Sequence, residues 1–280
     1  MESFGSRLIA ATDKHGPLCV GVDPHASLLA DWGLPDTPSG LARFCEVVVD
    51  ALADRVAIVK PQSAFFERFG SAGIAVLEST IRQFRDRGVL VLLDVKRGDI
   101  GSTATAYAQA YLDPDSPLYS DAITVSPYLG FGTLAPMIEL ARAHGGGVFV
   151  LAVTSNPEAG QVQQAQVSDG RPVAQVILDE VAAANAGADP LGSVGVVFGA
   201  TAGATGLDLS RLNAPVLAPG LGAQGAKPED LATVYAGVRG RVLPSASREL
   251  LRHGPDTQRL QHALDSMNEA CRNVLNYAHL

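Results

Sequence analysis

Two lysines and two aspartates lie at or just beyond short apolar runs, where a buried strand has no structural need for charge. Lys60 ends one such run, and Asp94, Lys96 and Asp99 end or follow the next one. Asp94 and Lys96 are two residues apart, so they face the same side of a strand. If the two strands are neighbours, Lys60 can approach Asp94 and a Lys–Asp–Lys row results, with Asp99 near enough to neutralise it. Such a row could hold one lysine as a general acid that protonates a carbanion.

Lysine is rare in this chain, which makes its placement informative. The sequence has four lysines against seventeen arginines, and Lys60 and Lys96 are two of the four. A compact ammonium group suits proton donation better than a planar guanidinium does. The Asp-x-Lys-x-x-Asp pattern is not specific by itself, and an ion-pair network that only orders the rim of the fold stays open as an alternative.

A second group of residues could bind phosphate. The glycine-rich segment Pro219–Gly225 follows one apolar run, and Ser247 and Arg248 follow the next. Glycines let backbone N–H groups approach a phosphate closely, and an arginine can donate two hydrogen bonds to it. Either motif alone is better interpreted as a glycine turn or a surface arginine. Together, after consecutive runs, they favour a phosphate site.

Eight short and mostly apolar runs alternate with segments of helical period, which is typical of buried parallel strands joined by helices. The predicted strands are Leu18–Val22, Val56–Lys60, Val89–Asp94, Ala122–Val125, Val148–Val153, Val194–Phe198, Val216–Ala218 and Val242–Leu243. The predicted helices include Ser39–Ala53 with a serine cap, Ser71–Arg87, Pro172–Ala188 and Thr257–Ala278. Because about 250 residues are usual for a (β/α)₈ barrel, we expect an α/β protein of that fold, a single TIM-barrel domain over residues 1–280. A doubly wound open sheet is the alternative, but no Gly-x-Gly-x-x-Gly follows the first strand.

The barrel would bring the charged residues together, because catalytic residues of such barrels lie at the C-terminal ends of the strands and phosphate sites often follow strands seven and eight. Two loops on that rim, Glu158–Arg171 and Gly220–Pro228, are long and polar. Each is either a lid or an ordinary surface loop.

Composition excludes several classes of protein. The formal net charge of −8 and the pI near 5.2 disfavour a nucleic-acid partner. No apolar run is long enough to span a membrane, and the first residues lack the basic region of a signal peptide. Cys19, Cys45 and Cys271 have no Cys-x-x-Cys spacing, which argues against a disulfide framework and against a zinc site. We therefore expect a cytoplasmic protein.

The segment from Leu92 to Thr103 (Leu-Leu-Asp-Val-Lys-Arg-Gly-Asp-Ile-Gly-Ser-Thr) resembles the signature of the orotidine 5′-phosphate decarboxylase family. The resemblance covers nearly the whole chain, and the segment Thr154–Glu158 is similar to the longer-chain bacterial branch. It implies decarboxylation of orotidine 5′-monophosphate to UMP and CO₂, the last step of de novo pyrimidine nucleotide biosynthesis. It also implies that neither a metal nor an organic cofactor takes part.

The resemblance further implies roles for individual residues. Lys60, Asp94, Lys96 and Asp99 would form the catalytic charged network, with Lys96 as the proton donor to the C6 carbanion. The implied substrate-binding residues are Asp23, Ile100, Thr103, Ser155, Pro219, Gln224, Ser247 and Arg248. A homodimer is implied, in which Asp99 and Thr103 reach into the partner's site. The position before Arg248 is often glycine in relatives and is serine here.

Two other functions stay open. Magnesium-dependent barrels such as hexulose-6-phosphate synthase and 3-keto-gulonate-6-phosphate decarboxylase share the Asp-x-Lys-x-x-Asp strand, but they resemble each other in placing a glutamate where this chain has Lys60. An ammonium group repels Mg²⁺ and removes an oxygen ligand. A phosphate-ligand binding protein without activity would need the glycine loop and Arg248, but not two lysines and two aspartates at strand ends.

Overall fold

Eight parallel strands close into a barrel in the order of the chain, β1 to β8, in the computed structural model, which describes residues 1–201, 206–222, 225–238 and 240–275. The strands are β1 (Cys19–Val22), β2 (Ile58–Pro61), β3 (Leu90–Arg97), β4 (Ala122–Val125), β5 (Gly147–Val153), β6 (Val194–Phe198), β7 (Ala214–Pro219) and β8 (Gly240–Ala246). β1 pairs with β8, and this pairing closes the ring. The predicted fold class is confirmed.

Helices connect the strands around the outside of the barrel. Those in the described ranges are α1 (Phe4–His15), α2 (Ala26–Asp31), α3 (Pro38–Leu52), α4 (Ala64–Glu67), α5 (Gly70–Asp86), α6 (Gly101–Leu112), α7 (Ala135–Ala143), α8 (Gly160–Gln163), α9 (Val173–Ala184), α10 (Pro228–Val234), α11 (Arg248–Leu251) and α12 (Thr257–Leu275). Two single 3₁₀ turns cover Phe131–Leu134 and Pro157–Ala159. No helix within these ranges is both long and apolar enough to cross a membrane.

Alternation along the strands separates an inner from an outer apolar layer. In β3, Leu90 and Leu92 belong to the cluster inside the barrel, whereas Val91 and Leu93 pack outward against the helices. Each such side chain contributes roughly 1.5–3 kcal/mol when it leaves water. The next inward positions are Asp94 and Lys96, so the alternation that fills the core also delivers these charges to the barrel mouth.

The first helix closes the opposite end of the barrel. Phe4 meets Phe149 of β5 edge to face at 5.9 Å between ring centroids, and Leu8 joins the same buried cluster. Arg7 pairs with the buried Asp121 and donates to the carbonyl of Gly145 at 3.0 Å. With this end sealed, the accessible end of the barrel is the one formed by the C-terminal ends of the strands.

The structure corrects some predicted boundaries. Helix α3 begins at Pro38, and its cap is Thr37 rather than a serine, because the Thr37 side chain accepts a hydrogen bond from the Gly40 backbone N–H at 3.3 Å. Proline fits the first helical position, where no backbone donor is needed. Strand β3 continues past Asp94 to Arg97, with an irregularity in its pairing to β4 between Leu93 and Arg97.

Candidate active site

A cavity of about 370 Å³ opens at the C-terminal ends of the strands. Eight of the predicted site residues line it: Asp23, Lys60, Asp94, Lys96, Ser155, Pro219, Ser247 and Arg248. The polar side chains of β1 to β3 form one half of the wall. Leu151, Val197 and Leu217, from β5, β6 and β7, form an apolar wall on the other side of the barrel mouth.

The predicted Lys–Asp–Lys row is present. The Asp94 carboxylate lies between two ammonium groups, with its Oδ2 at 3.1 Å from Lys60 Nζ and its Oδ1 at 2.6 Å from Lys96 Nζ. Lys60 Nζ also lies 4.0 Å from Asp23 Oδ1. Asp94 and Lys60 are only 6% and 7% exposed, so both charges depend on each other for stabilisation.

Two charges of this row, those of Asp94 and Lys60, are stabilised by their neighbours. Burial alone would raise the pKa of Asp94, but the charges of Lys60 and Lys96, with hydrogen bonds from Lys96 and Thr124, lower it to about 2. Burial alone would lower the pKa of Lys60, but the nearby Asp23 and Asp94 carboxylates raise it above its usual value. Asp94 is therefore a carboxylate and Lys60 an ammonium group over the physiological range.

The backbone at Lys96 is unusual. Its φ is +46°, in the left-handed region that non-glycine residues rarely adopt, at a cost of order 1–3 kcal/mol. The strained residue lies where the pairing of β3 with β4 becomes irregular. Its backbone N–H donates to the Thr124 hydroxyl at 3.0 Å, and that hydroxyl donates to Asp94 Oδ1 at 2.7 Å.

Asp99, Ile100 and Thr103 do not line the cavity of their own chain. Asp99 Oδ1 accepts the Ile100 backbone N–H at 2.8 Å, and no ion pair joins Asp99 to a lysine among the described residues. Ile100 is 60% exposed, and Thr103 is exposed on α6. The expectation that Asp99 neutralises the row is therefore not met within one chain.

The residues predicted to bind phosphate lie at the C-terminal ends of β7 and β8. Pro219, Gly220, Ser247 and Arg248 line the cavity, and Arg248 is exposed. Gly222 has a φ of +75°, and a Cβ there would lie 2.6 Å from Cβ of Glu249, the residue next to Arg248. Glycine at this position thus lets the β7 loop approach the residues after β8. Gln224 lies outside the described residues.

Ser155 follows β5, next to Thr154. Thr154 is hydrogen-bonded to the loop Glu158–Arg171, which the sequence predicts to be either a lid or a surface loop. Gln163, in α8, accepts the Thr154 backbone N–H through its side-chain oxygen at 2.9 Å and donates to the Thr154 hydroxyl at 2.8 Å. Within the segment Glu158–Arg171, the residues Gly160–Gln163 form helix α8. The hydrogen bonds of Gln163 connect this helix to Thr154 in the cavity wall.

Several cavity residues were not predicted from the sequence. They are His25, Gln62, Phe65, Thr124, Thr154 and Ser245. Gln62 is two residues beyond Lys60 and Ser245 two before Ser247, so the alternation that placed Asp94 beside Lys96 could have found both. His25 packs on Phe65 at 4.2 Å between ring centroids, a contact that no sequence spacing indicates.

Comparison with known proteins places this chain in a family. The sequence model of the orotidine 5′-phosphate decarboxylase / HUMPS family matches residues 16–263. The chain belongs to this family. The predicted resemblance is thereby confirmed.

The similarity extends over nearly the whole chain. A Salinispora arenicola relative named orotidine 5′-phosphate decarboxylase is 64% identical over 98% of this chain and 99% of its own length. A crystal structure from Streptomyces avermitilis has a TM-score of 0.95 at 59% identity, covering 99% of this chain and 97% of that chain. The structure of Leishmania donovani OMP decarboxylase has a TM-score of 0.75 at 31% identity, covering 99% of this chain and 100% of that chain. The predicted enzyme class, a carboxy-lyase, is confirmed by these decarboxylase relatives.

Within the described ranges, no group of three or more His, Cys, Asp or Glu side chains is arranged to hold a metal ion.

Proposed function

We propose that the protein converts orotidine 5′-monophosphate to UMP and CO₂ without a metal or an organic cofactor, as the last step of de novo pyrimidine nucleotide biosynthesis. The observation that carries the proposal is the Lys60–Asp94–Lys96 row at the open end of the barrel, in which Lys60 and Asp94 are buried and Lys96 is exposed at the cavity. A non-catalytic phosphate binder has no use for two ammonium groups fixed around one carboxylate, because burying Lys60 and Asp94 costs free energy.

The reaction needs a fixed positive charge that can also give a proton. When the carboxylate leaves as CO₂, the electron pair of the broken carbon–carbon bond stays on an sp² ring carbon that gains little from resonance. The Lys96 ammonium stabilises this developing charge and then transfers one of its protons to the carbon. Water returns the proton to the lysine after UMP leaves.

Asp94 and Lys60 keep Lys96 ready for this step. Asp94 holds the Lys96 ammonium at 2.6 Å, and Lys60 fixes the other oxygen of that carboxylate at 3.1 Å. Proton donation from a preorganised ammonium requires no reorganisation at the moment of reaction. Asp94 also lies beside the departing carboxylate in this arrangement.

The remaining cavity residues bind the nucleotide at its other groups. Asp23, whose buried Oδ1 has no hydrogen-bond partner among the residues that the structure describes, takes a ribose hydroxyl. Ser155 contacts the pyrimidine. Arg248 binds the phosphate together with Gln224, Pro219 and Ser247. With the chain at a net charge of −8, local cations are needed to attract a substrate with several negative charges.

Lys60 is also the residue that favours a metal-free reaction over the magnesium-dependent alternative. Its ammonium group is buried and already paired with Asp94 at 3.1 Å. Mg²⁺ requires oxygen ligands, and a cation at this position opposes its binding.

The proposed active unit is a homodimer of single-domain chains (residues 1–280) in the cytoplasm, with Asp99 and Thr103 completing the partner's site. Three of the strongly exposed large apolar side chains support an interface beside them: Ile100 at 60%, Tyr128 at 78% and Leu129 at 50% exposure. They follow the neighbouring strands β3 and β4, on the same rim as Asp99. The free thiols of all three cysteines fit a reducing compartment.

Decarboxylation can be followed by ultraviolet absorbance with orotidine 5′-monophosphate as the substrate in excess EDTA. The proposal predicts complete conversion to UMP at a rate that added Mg²⁺ does not change. Absence of turnover in EDTA, with activity on a sugar phosphate once Mg²⁺ is restored, would assign the protein to the metal-dependent branch.

A further inference from the structure

Thr124, on β4, makes hydrogen bonds with two members of the charged row, Asp94 and Lys96. Its hydroxyl donates to Asp94 Oδ1 at 2.7 Å and accepts the Lys96 backbone N–H at 3.0 Å. The residue is 1% exposed. A threonine hydroxyl has one proton to donate, and here that proton is directed to Asp94.

The conformation of the backbone around Lys96 explains why its N–H needs a side chain as its hydrogen-bond acceptor. In a regular parallel pair, a strand N–H bonds to a carbonyl of the neighbouring strand. The pairing of β3 with β4 is irregular between Leu93 and Arg97, and Lys96 has a φ of +46°. The Thr124 hydroxyl supplies the acceptor for the Lys96 N–H in place of a ladder carbonyl.

We propose that Thr124 is a positioning residue that sets the geometry between Asp94 and Lys96 for proton transfer. It fixes the orientation of the Asp94 carboxylate from one side while it holds the Lys96 backbone in its left-handed conformation. The expected effect of Thr124 on proton transfer rests on the proposed function. Its effect on the positions of Asp94 and Lys96 does not.

The other interpretation is that Thr124 only fills space. Thr80, on α5, offers a matched comparison, since it is also 1% exposed and its hydroxyl donates to the Val76 carbonyl of its own helix at 2.8 Å. Valine has nearly the shape of threonine without the hydroxyl, and serine keeps the hydroxyl without the methyl group. Thr124→Val, Thr124→Ser and Thr80→Val therefore separate hydrogen bonding from packing.

The kinetic test measures kcat and KM for orotidine 5′-monophosphate in these variants. We expect Thr124→Val to lower kcat by about 10- to 100-fold with little change in KM, which is the effect of one hydrogen bond to a charged group. Thr124→Ser should restore most of kcat, and Thr80→Val should keep it. If Thr124→Val keeps kcat within about twofold of the wild type, or if serine rescues nothing, Thr124 does not position the row.

A crystal structure of Thr124→Val gives a second readout that does not require activity. We expect Lys96 to leave its left-handed conformation or its Nζ to leave the 2.6 Å contact with Asp94. Unchanged positions of both residues would overturn the inference. If the wild type fails to convert the substrate, the proposed function fails, and this structure still decides the role of Thr124.

Discussion

At the scale of single residues, the site depends on charges that are buried in pairs. Removing one partner of a buried pair leaves the other uncompensated, which typically costs about 3–5 kcal/mol. Lys60 and Asp94 are in this situation, whereas Arg248 is exposed and has a proposed role in phosphate binding. Substitutions within the row should therefore affect stability as well as catalysis, and those at Arg248 should affect binding.

The lowered pKa of Asp94 predicts a pH dependence of stability. A carboxyl with a folded-state pKa of about 2 contributes stability above its unfolded value of 3.8, and this contribution is lost as the pH falls toward 2. The unfolding free energy of the wild type minus that of Asp94→Asn should therefore shrink by about 2 kcal/mol between pH ~5 and pH ~2. Chemical denaturation at several pH values measures this difference.

Asp50→Asn is the matched control, because the Asp50 side chain is 64% exposed and pairs with Arg87 at the surface. Its difference from the wild type should stay nearly constant over the same range. A constant difference for Asp94→Asn as well would mean that Asp94 is not held as a carboxylate by its neighbours.

Arg248 should act through the phosphate alone. We expect Arg248→Ala to lower kcat/KM for orotidine 5′-monophosphate by about 10²- to 10³-fold, because a charge-assisted bidentate contact is lost. The same variant should leave the activity on orotidine, which has no phosphate, within about threefold of the wild type. Steady-state kinetics with both substrates checks this. An equal loss with both would place Arg248 at some group other than the phosphate.

At the scale of elements, strands β2 and β3 carry the charged row, and a helix in a loop supports polar residues elsewhere in the cavity wall. Helix α8 is the clearest case, since Gln163 makes two hydrogen bonds to Thr154 beside Ser155. The loop from Glu158 to Arg171 therefore contacts a residue of the cavity wall, and we expect it to act on the site through Thr154.

The Gln163 contact gives a prediction for this loop. Gln163→Ala should lower kcat/KM for orotidine 5′-monophosphate by about tenfold, since two hydrogen bonds that fix the Thr154–Ser155 segment are removed. Gln164→Ala, at an exposed neighbouring position, should leave it unchanged. Similar kinetics for the two variants would mean that the loop does not support the pyrimidine end of the site.

At the scale of the whole molecule, the barrel and the row could be predicted from two regular patterns in the sequence. The barrel follows from eight apolar runs that alternate with helical segments. The row follows from the two-residue period of a strand, which puts Asp94 and Lys96 on one side. The irregularity at Lys96 could not be predicted, since a lysine with positive φ is held by Thr124 from another strand. Asp99 stands outside the cavity of its own chain, and its proposed role in a partner's site came from the family resemblance and not from any pattern in the residues.

The dimer prediction can be tested by mixing inactive variants. Lys96→Ala and Asp99→Asn chains should regain part of the activity on mixing, because a hybrid dimer contains one site with an intact Lys96 and an intact Asp99. Mixing Lys96→Ala with Asp94→Asn should restore nothing, as both residues belong to the same chain's row. If hybrids form and the first mixture stays inactive, Asp99 does not act in the partner's site.

The most direct test of the account is the single-turnover rate of orotidine 5′-monophosphate decarboxylation by Lys96→Ala beside the wild type, each in excess over the substrate and concentrated enough to bind all of it. The account predicts a loss of at least about 10⁴-fold, because general-acid catalysis and electrostatic stabilisation are removed together. UMP binding should persist, since Arg248 and Asp23 remain in place. A rate within about tenfold of the wild type would contradict the assignment of Lys96 as the proton donor.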